Sequence, residues 1–347
     1  MSNGGDFIDL IESIKKIAPD ALKTIQTRYE ILKNIQINQP LGRRAISLNL
    51  GLRERTVRCE VEKLKDLKLL TVDNMGMYVT DDAKKLLKKL EEPYYDIRGI
   101  GELTKLLQEK LQIARIFVVL GDSETNHDVL LEMGKVASKI LLESISGKVI
   151  VGVTGGSTMA CVSEMISSEK RYSDVTIIPA RGGLGTEMTD QANSVAENIG
   201  KSLGADYRML HIPDGLDQKA LKAVSTNPEI KEVLQMINQM NILLFGIGRA
   251  DVLARRRRLP ENKINSLLED GAVAEAFGHY FNIDGQDIWE YKTVGISLDS
   301  YKKLKTVIGV AGGKNKAQAI IAVSSIRKDI ILVIDEAVGI KILELLN

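Results

Sequence analysis

VIVGVTGGSTMACV, which spans residues 149–162, is the stretch of sequence that decides the fold. Its first part is a continuous run of apolar, mostly β-branched residues, which is typical of a strand buried on both faces of a parallel sheet. Gly155 and Gly156 then allow a tight turn, and Ser157 and Thr158 open a helix-like segment. Backbone N–H groups and the helix dipole favour an anion at such a position. The pattern predicts a phosphate-binding turn, although a tight turn with a serine N-cap would give the same pattern.

Six further apolar runs lie on both sides of this stretch and are separated by amphipathic helical segments. They are IFVVL, VTIIPA, MLHI, ILLFGIG, TVIGVAGG and IILVID. Apolar runs that alternate with helices predict a doubly wound, mostly parallel α/β domain. Ligands of such sheets bind beyond the carboxyl ends of the strands. We therefore expect the glycine-rich turns GVTGGST, FGIGRAD and GVAGGKNK to converge on one site.

Charged residues follow several of the same runs. Arg181 comes directly after a predicted strand in PARGGLG, Lys314 and Lys316 lie in AGGKNKAQAI, and residues 255–258 form the arginine run of ARRRRLP. Glycine turns and cationic side chains at several strand ends are what a doubly phosphorylated small molecule requires. Glu275, in GAVAEAFG, either accepts hydrogen bonds from sugar hydroxyls or pairs with a nearby arginine.

The first 111 residues have helical periodicity and a different organisation. A helix is predicted over residues 21–37, followed by the short helical segments RRAISLNL and ERTVRCEVEKLKDL, which Gly51 separates. LLTVDNMGMYVT then predicts two short strands around a turn. This order of helices followed by a hairpin is that of a winged helix-turn-helix. Pro93 and Gly99 follow the charged segment DDAKKLLKKLEE and predict a hinge before the next helix.

Positive charge is concentrated in this N-terminal part, although the net charge of the chain is only +1. Residues 41–70 contain eight Lys or Arg and four Asp or Glu, whereas residues 115–347 contain 27 basic and 29 acidic residues. A local basic excess is the footprint of a DNA-reading module. An apolar stripe of Val57, Val61 and Leu64 would fix the third helix and leave its other faces to bases and phosphates. The residues predicted to contact DNA are Arg43, Arg44, Arg53, Arg55, Thr56 and Arg58. The alternative for these charges is a solvated helix face.

The sequence divides into a winged helix-turn-helix DNA-binding domain over residues 1–90, a helical linker over residues 91–114 and an effector domain over residues 115–347. His127, His211 and His279 lack the spacing of a metal site or of a triad, so no catalytic residue, metal ligand or cofactor is expected. No run approaches the roughly 18 apolar residues of a membrane helix, and the N-terminus lacks the order of a secretory signal. With only two cysteines as well, a cytoplasmic protein without a membrane partner is expected.

An ordered set of motifs connects the sequence to a known family. VTGGST, PARGG, GIGRAD, GAVAEAFGHYFN and AGGKNKAQAI, after a winged helix-turn-helix, resemble the SorC family of bacterial transcriptional regulators, and the resemblance covers essentially the whole chain. It implies an effector domain similar to sugar-phosphate isomerases and deaminases that has lost their catalysis. It also implies a repressor that binds the operator DNA of a glycolytic operon and is relieved by fructose 1,6-bisphosphate or a related sugar phosphate. We expect a homodimer or homotetramer, because a palindromic operator takes two helix-turn-helix units.

The resemblance also assigns ligand contacts, residue by residue. The nine ligand-binding positions are Gly155, Gly156, Ser157, Thr158, Arg181, Gln191, Arg256, Glu275 and Lys316. The glycine turn with Lys316 would hold one phosphate and Arg256 the other, while Arg181 and Gln191 would contact the ligand. Glu275 would bind the sugar hydroxyls. The pattern does not separate Arg256 from Arg257, and Lys314, where a small residue is more usual, adds charge to the pocket or points outward.

An enzyme of the same fold is the alternative from a different class. A sugar-phosphate isomerase or deaminase with an accessory N-terminal domain would show the same strands and the same glycine turns. The sequence offers phosphate ligands without a matching set of acid and base residues, which favours the sensor.

Overall fold

Two units make up the part of the chain that the structure describes. The computed structural model describes residues 11–184, 187–216 and 218–347. The first unit ends at Glu102 and the second begins at Leu103. Each unit buries its own set of apolar side chains, as expected for separate domains.

Helices and a hairpin form the first unit in the order predicted for a winged helix-turn-helix. The elements are α1 (Pro19–Asn38), α2 (Arg43–Leu50), α3 (Glu54–Asp66), β1 (Leu70–Val72), β2 (Met77–Val79) and α4 (Asp81–Ile97). Gly51 ends α2 in the left-handed conformation, at φ +61°, which lets the chain turn sharply into α3. The two strands pair antiparallel, with Leu70 opposite Val79. The predicted domain type is confirmed.

Three apolar side chains hold α3 in this unit. Val57, Val61 and Leu64 recur on one face at helical spacing and are at most 3% exposed. Burial of such a side chain contributes about 1.5–3 kcal/mol. The other faces of α3 carry exposed charged residues, which are therefore available to a partner.

Helix α4 continues through Pro93, where the sequence predicts an interruption. The next residue explains the difference: Tyr94 stacks on Tyr29 with ring centroids 3.9 Å apart, and its hydroxyl donates to Glu30 at 2.8 Å. These contacts offset the loss of the backbone hydrogen bond that a proline removes from a helix. The chain turns instead at Gly99, whose φ is +71°.

The second unit alternates strands and helices, as the apolar runs predict. Helix α5 (Ile100–Leu111) comes before its first strand. The elements that follow are β3 (Arg115–Val119), α6 (His127–Ser144), β4 (Val149–Val153), α7 (Ser157–Met165), β5 (Val175–Pro179), α8 (Ala192–Leu203), β6 (Asp206–Tyr207), α9 (Gln218–Val224), α10 (Pro228–Gln239), β7 (Ile242–Gly246), β8 (Gly248–Arg249), α11 (Ala250–Arg256), α12 (Glu261–Glu269), β9 (Ala274–Ala276), β10 (His279–Phe281), β11 (Asp287–Glu290), α13 (Leu298–Lys303), β12 (Thr306–Ala311), a 3₁₀ turn (Lys314–Lys316), α14 (Ala317–Ile326), β13 (Ile331–Asp335) and α15 (Glu336–Leu346).

Seven parallel strands form the central sheet in the order β3-β13-β12-β7-β4-β5-β6. Their inward side chains are fully buried, as at Ile177, Leu244, Ile308 and Val333. From β4 the chain adds β5 and β6 outward on one side of the sheet, and from β7 it adds β12 and β13 outward on the other side. The sheet is therefore doubly wound, as predicted, and its topological switch point lies between β4 and β7.

The apolar run MLHI is not the strand that the sequence predicts. The seventh strand is instead the two-residue β6, which pairs with β5. Leu210, inside the run, is buried, but its backbone bonds the side chain of Asn193, at 2.8 Å for its N–H and 3.1 Å for its carbonyl. An apolar run cannot by itself distinguish a strand from a buried loop.

A four-stranded antiparallel sheet, which the sequence analysis did not predict, has the order β11-β10-β9-β8. Its strands have two to four residues each, too few for a period-2 pattern. Phe277 and Gly278 join β9 to β10 with φ values of +57° and +89°, the geometry of a two-residue type I′ turn. Because Gly248 pairs with Glu275, this sheet lies next to the end of β7.

Leu64→Ala is expected to lower the free energy of unfolding of the first unit by about 2–5 kcal/mol, because the buried side chain leaves a cavity. Urea titration followed by hydrogen exchange of peptides from α1, α2 and α3 measures the change. Leu67→Ala is the matched control, since Leu67 is 56% exposed, and its effect should stay within about 0.5 kcal/mol. Equal effects of the two substitutions would contradict this packing of α3.

Candidate functional site

A cavity of about 200 Å³ opens where β4, β5, β7 and β12 end, around the switch point of the sheet. Open α/β sheets bind their ligands at this place. All nine residues that the resemblance assigns to the ligand line the cavity, and Arg249 and Phe277 line it as well. The three glycine-rich turns therefore converge, as predicted.

The glycine turn after β4 fits closely against the backbone of a neighbouring loop. A Cβ at Gly155 would lie 2.2 Å from the carbonyl oxygen of Asp190. Gly156 has φ +114°, and its N–H donates to the same oxygen at 2.8 Å. Gly156 is also the N-cap of α7, so the serine N-cap that the pattern allowed is not formed at Ser157. The first-turn N–H groups of α7 therefore have no intrahelical acceptor.

Lys316 places a positive charge beside this helix start. Its ammonium group donates to Thr158 Oγ1 at 3.2 Å, and it pairs with no carboxylate in the described part of the chain. Burial lowers the pKa of Lys316 from its ordinary value of 10.5, and the negative charges of Asp335 and Glu124 offset only part of that effect. A cation held in this way gains stability when an anion approaches it.

The structure also places Lys314, for which the sequence left two orientations open. Its side chain is 60% exposed, lies 3.8 Å from Asp122 and does not line the cavity. Lys314 therefore points outward.

The arginine run is divided by the structure into a cavity residue and a buried residue. Arg256 lines the cavity, and its Nη2 lies 2.9 Å from a carboxylate oxygen of Asp190. Arg257 has only 1% of its side chain exposed and does not line the cavity. Arg255 and Arg258 are exposed. Of the two arginines that the sequence could not separate, Arg256 is the one that a ligand in the cavity can reach.

Arg181, Asp214, Arg257 and Glu275 form a closed ring of buried ion pairs, here called the ion quartet. Arg181 lies 2.9 Å from Asp214 and 3.3 Å from Glu275. Arg257 lies 2.5 Å from Asp214 and 2.9 Å from Glu275. Glu275 thus pairs with arginines, one of the two roles that the sequence left open, and it also lines the cavity.

Glu275 is held in its ionised form by this ring. Burial alone would raise the pKa of the Glu275 carboxyl, but the charges of Arg181 and Arg257 outweigh burial and lower it from its ordinary value. The backbone N–H of Gly278 adds a hydrogen bond of 2.6 Å. An ionised carboxylate accepts hydrogen bonds and donates none, which suits the hydroxyl groups of a sugar.

Gln191 lines the cavity, and its side-chain amide bonds the backbone of Leu184 and Glu187. Its Oε1 accepts the N–H of Leu184 at 3.1 Å, and its Nε2 donates to the carbonyls of Leu184 and Glu187 at 3.1 and 3.2 Å. Gln191 therefore holds the backbone of Leu184 and of Glu187 close to the start of α8. The structure adds this positioning role to the predicted ligand contact.

Several residues that line the cavity were not assigned to the ligand from the sequence, among them Asp190, Arg249 and Phe277. Arg249 forms a two-point ion pair with Asp251, at 3.0 and 2.7 Å, and its signal was present in the motif GIGRAD. Phe277 lines the cavity from the β9–β10 turn, and its ring lies 5.4 Å from that of Phe245. Asn and Gly are the usual residues of such a turn, so no pattern in the sequence predicted a turn at Phe277.

The side chains predicted to contact DNA are all exposed and lie at the starts of α2 and α3. They are Arg43, Arg44, Arg53, Arg55, Thr56 and Arg58. Arg43 and Arg44 each lie near a glutamate of the same unit, at 3.9 and 3.8 Å, distances typical of weak surface pairs. Arg55 and Arg58 lie on one side of α3 and have no ion pair with any described residue. Both arginines are therefore free to reach a partner, as is Arg53 at the N-cap of the same helix.

Within residues 11–184, 187–216 and 218–347, no group of three His, Cys, Asp or Glu side chains is placed to hold a metal ion. None of the described helices combines the length and apolar character needed to cross a membrane. Cys161 is buried, and burial raises the pKa of its thiol to about 11, so it is mostly un-ionised at neutral pH.

Arg58→Ala is expected to weaken binding of a DNA duplex that the protein selects from random sequences by about 1–3 kcal/mol, and to relax its preference at one base pair. Arg43→Ala should instead weaken all duplexes alike and reduce the salt dependence by about one charge. Fluorescence anisotropy at several salt concentrations distinguishes the two effects. Lys88→Ala, which removes an exposed cation from α4, is the control. Unchanged DNA binding by the Arg58 variant would contradict this role of α3.

Two protein families match consecutive parts of the chain. Residues 24–93 match the family described as "CggR N-terminal DNA binding domain". Residues 95–344 match the family described as "Putative sugar-binding domain". Together they cover both units.

Relatives with the same two parts are similar over nearly their whole length. The "Central glycolytic genes regulator" of Bacillus subtilis (strain 168) is 38% identical over 334 residues, which are 96% of this chain and 98% of the relative. The protein of the same name from Priestia megaterium is 40% identical over 328 residues, which are 94% of this chain and 96% of the relative.

Solved structures agree with these matches. The structure titled "putative SorC family transcriptional regulator from Enterococcus faecalis" is 34% identical, has a TM-score of 0.65 and covers 70% of this chain and 99% of its own. The full-length sorbitol operon regulator SorC from Klebsiella pneumoniae, at 17% identity, has a TM-score of 0.62 and covers 99% of this chain and 100% of its own, which shows the same fold. The match to a DNA-binding domain followed by a sugar-binding domain favours a transcription regulator over a sugar-phosphate isomerase or deaminase. The chain belongs to the SorC family of transcription regulators and is not an enzyme.

Proposed function

We propose that this regulator represses a glycolytic operon and that fructose 1,6-bisphosphate, bound in the cavity of the second unit, releases it from its operator. The cavity carries the proposal, because it brings a glycine turn, a helix start, Lys316 and Arg256 into one space. The relatives named as central glycolytic genes regulators support the assignment of the operon.

One phosphate would lie against the start of α7. The N–H groups of the first helical turn attract an anion, and the Lys316 ammonium group lies beside Thr158 of that turn. Because burial disfavours the charged form of Lys316, a phosphate dianion at this position would stabilise that form.

The second phosphate would bind Arg256 by replacing a carboxylate. Nη2 of the Arg256 guanidinium group lies 2.9 Å from Oδ2 of Asp190, and a phosphate would bring more charge and can accept two guanidinium N–H groups at once. The main-chain carbonyl of Asp190 also accepts the N–H of Gly156. Asp190 therefore contacts one residue at each proposed phosphate position, which would link the occupation of the two.

The cavity between these positions suits a sugar. The rings of Phe245 and Phe277 supply an apolar wall, and the Glu275 carboxylate accepts hydrogen bonds. Pockets for small polar ligands commonly combine an apolar lining with a few fixed polar groups.

Release from DNA requires a coupling free energy of only about 1–3 kcal/mol, or roughly 5–150-fold in operator affinity. A homodimer or homotetramer would place two copies of α3 on a palindromic operator. Binding of the bisphosphate would then favour an arrangement of subunits that fits the DNA less well.

Effector release is tested with a DNA duplex that the purified protein selects from random sequences. Fluorescence anisotropy gives its affinity without effector and with fructose 1,6-bisphosphate, fructose 6-phosphate or glucose 6-phosphate. The largest loss of affinity is expected with the bisphosphate, and equal DNA affinity in all four samples would contradict the proposal.

Within the same experiment, Lys316→Met should weaken binding of the bisphosphate by about 1.5–3 kcal/mol, because one charge-assisted contact is lost. DNA affinity without effector should not change. Lys314→Met is the matched control, since Lys314 is exposed and lies outside the cavity. A Lys316 variant that binds DNA poorly without effector would instead assign the lysine to the fold or to subunit assembly.

Bisphosphate affinity should also fall as the pH rises through the lowered pKa of Lys316. Burial lowers the pKa of Lys316 from 10.5, and a bound phosphate would raise it again, so binding takes up a proton in the window between the two values. Both ligand phosphates stay dianionic there, because their second pKa is about 6. Calorimetry in buffers of different ionisation enthalpy measures the proton uptake. The uptake should disappear in Lys316→Met, and an unchanged uptake in that variant would assign it to another group.

A further inference from the structure

The ion quartet contains two residues that reach the cavity and two that do not. Arg181 and Glu275 line the cavity, whereas Asp214 and Arg257 lie behind them. Asp214 and Arg257 have only 2% and 1% of their side chains exposed. The guanidinium group of Arg257 also lies over the ring of Tyr291, at 4.9 Å from the ring centre, which fixes its position from the far side.

The quartet is neutral as a whole, because it has two arginines and two carboxylates. Each arginine contacts both carboxylates, so neither arginine belongs to one partner alone. Arg257 and Arg181 share the negative charge of Asp214 and Glu275. The positive potential that Arg181 produces in the cavity therefore depends on how much of that negative charge Arg257 neutralises. In a buried site with little water, such an effect acts strongly over short distances.

The quartet is not arranged for the greatest stability. Asp214 Oδ1 and Arg257 Nε are buried without a hydrogen-bond partner among the described residues. Buried ion pairs lose hydration, and apolar residues of similar size often stabilise a fold as well or better. In natural proteins such atoms are rare, and a functional role is one of the explanations for them. The geometry thus favours a role in binding over a role in stability alone.

We propose that Asp214 and Arg257 are positioning residues that set the affinity of the cavity for its anionic ligand, with opposite signs. Arg257 occupies one side of each carboxylate and so leaves Arg181 able to face a phosphate. The ion pair with Asp214 neutralises part of the positive charge of Arg181 and so lowers the affinity of the cavity for an anion. This inference rests on the proposed function, since it concerns the strength with which the same cavity binds a sugar phosphate.

Charge alone gives the order of the variants. Arg257→Met leaves two carboxylates for one arginine, a net charge of −1 beside the cavity, so anion binding weakens. Asp214→Asn leaves one carboxylate for two arginines, a net charge of +1, so anion binding strengthens. The double variant returns the group to neutrality and should recover affinity relative to Arg257→Met. If the quartet only packed the fold, every variant would bind more weakly and the double variant would be the weakest.

Isothermal titration of the full-length protein with fructose 1,6-bisphosphate, and separately with inorganic phosphate, tests this order. We expect about tenfold weaker binding for Arg257→Met and up to about tenfold tighter binding for Asp214→Asn, as for one charge at short range in a partly screened site. Arg258→Met is the matched control: it removes an exposed arginine of the same run and should bind like the original protein.

Each outcome decides between distinct conclusions. Circular dichroism first establishes that the variants fold, and Asp214→Asn tests the proposal even if Arg257→Met does not fold. Weaker binding by Asp214→Asn, or a double variant that binds less well than Arg257→Met, would overturn the inference and leave the proposed function standing. An original protein that binds neither probe would overturn the proposed function together with this inference.

Discussion

The parallel arrangement of the central sheet is the constraint on which the site depends. Seven parallel strands must all end at the same edge, so the turns that follow β4, β5, β7 and β12 meet there whatever their sequence. The residues of these turns then determine what the cavity between them can bind. The turns pack closely, because even a methyl group at Gly155 would collide with the backbone of Asp190. The cavity is therefore a consequence of topology, and its preference for an anion is a consequence of side chains.

Among the described residues, the cations of the cavity differ in whether they carry their own counter-ion. Arg249 pairs with Asp251, Arg256 with Asp190, and Arg181 with the carboxylates of the quartet. Lys316 alone lacks such a partner in that part of the chain. A site built in this way folds without strong self-repulsion, because most of its charge is already compensated. An anionic ligand must then exchange with carboxylates, so its affinity depends on a difference between two ion pairs.

Much of the fold followed from the sequence, because long elements leave a strong periodic signal. The helices around Gly51 and the strand before Gly155 are where the pattern predicts them. Features fixed by a few tertiary contacts were not predictable in this way. Helix α4 passes Pro93 because Tyr94 finds a partner 65 residues earlier in the chain, at Tyr29. Leu210 stays out of the sheet because a side chain, rather than a strand, satisfies its backbone.

The sequence motifs predicted which segments form the site, but they did not predict which side chains face the cavity or which residues they pair with. Adjacent helical residues point in directions about 100° apart, so either Arg256 or Arg257 had to face the cavity. Only the packing of α11 against Asp214 and Glu275 decides which. The same holds for Glu275, whose sequence context permits a sugar contact and an ion pair equally. The structure shows that it has the ion pairs and still lines the cavity.

Asp190 is the residue through which ligand binding could be coupled to a conformational change, because it contacts two parts of the cavity. Its carboxylate contacts Arg256, its carbonyl accepts the N–H of Gly156 in the glycine turn, and its neighbour Gln191 bonds the backbone of Leu184. A ligand phosphate that took the place of its carboxylate would break the first contact and leave the other two. Asp190 and Gln191 together would then lose one of these three contacts when the cavity is filled. Because the exchange replaces one ion pair by another, it can be nearly balanced in free energy, and a small surplus is enough to shift a two-state equilibrium.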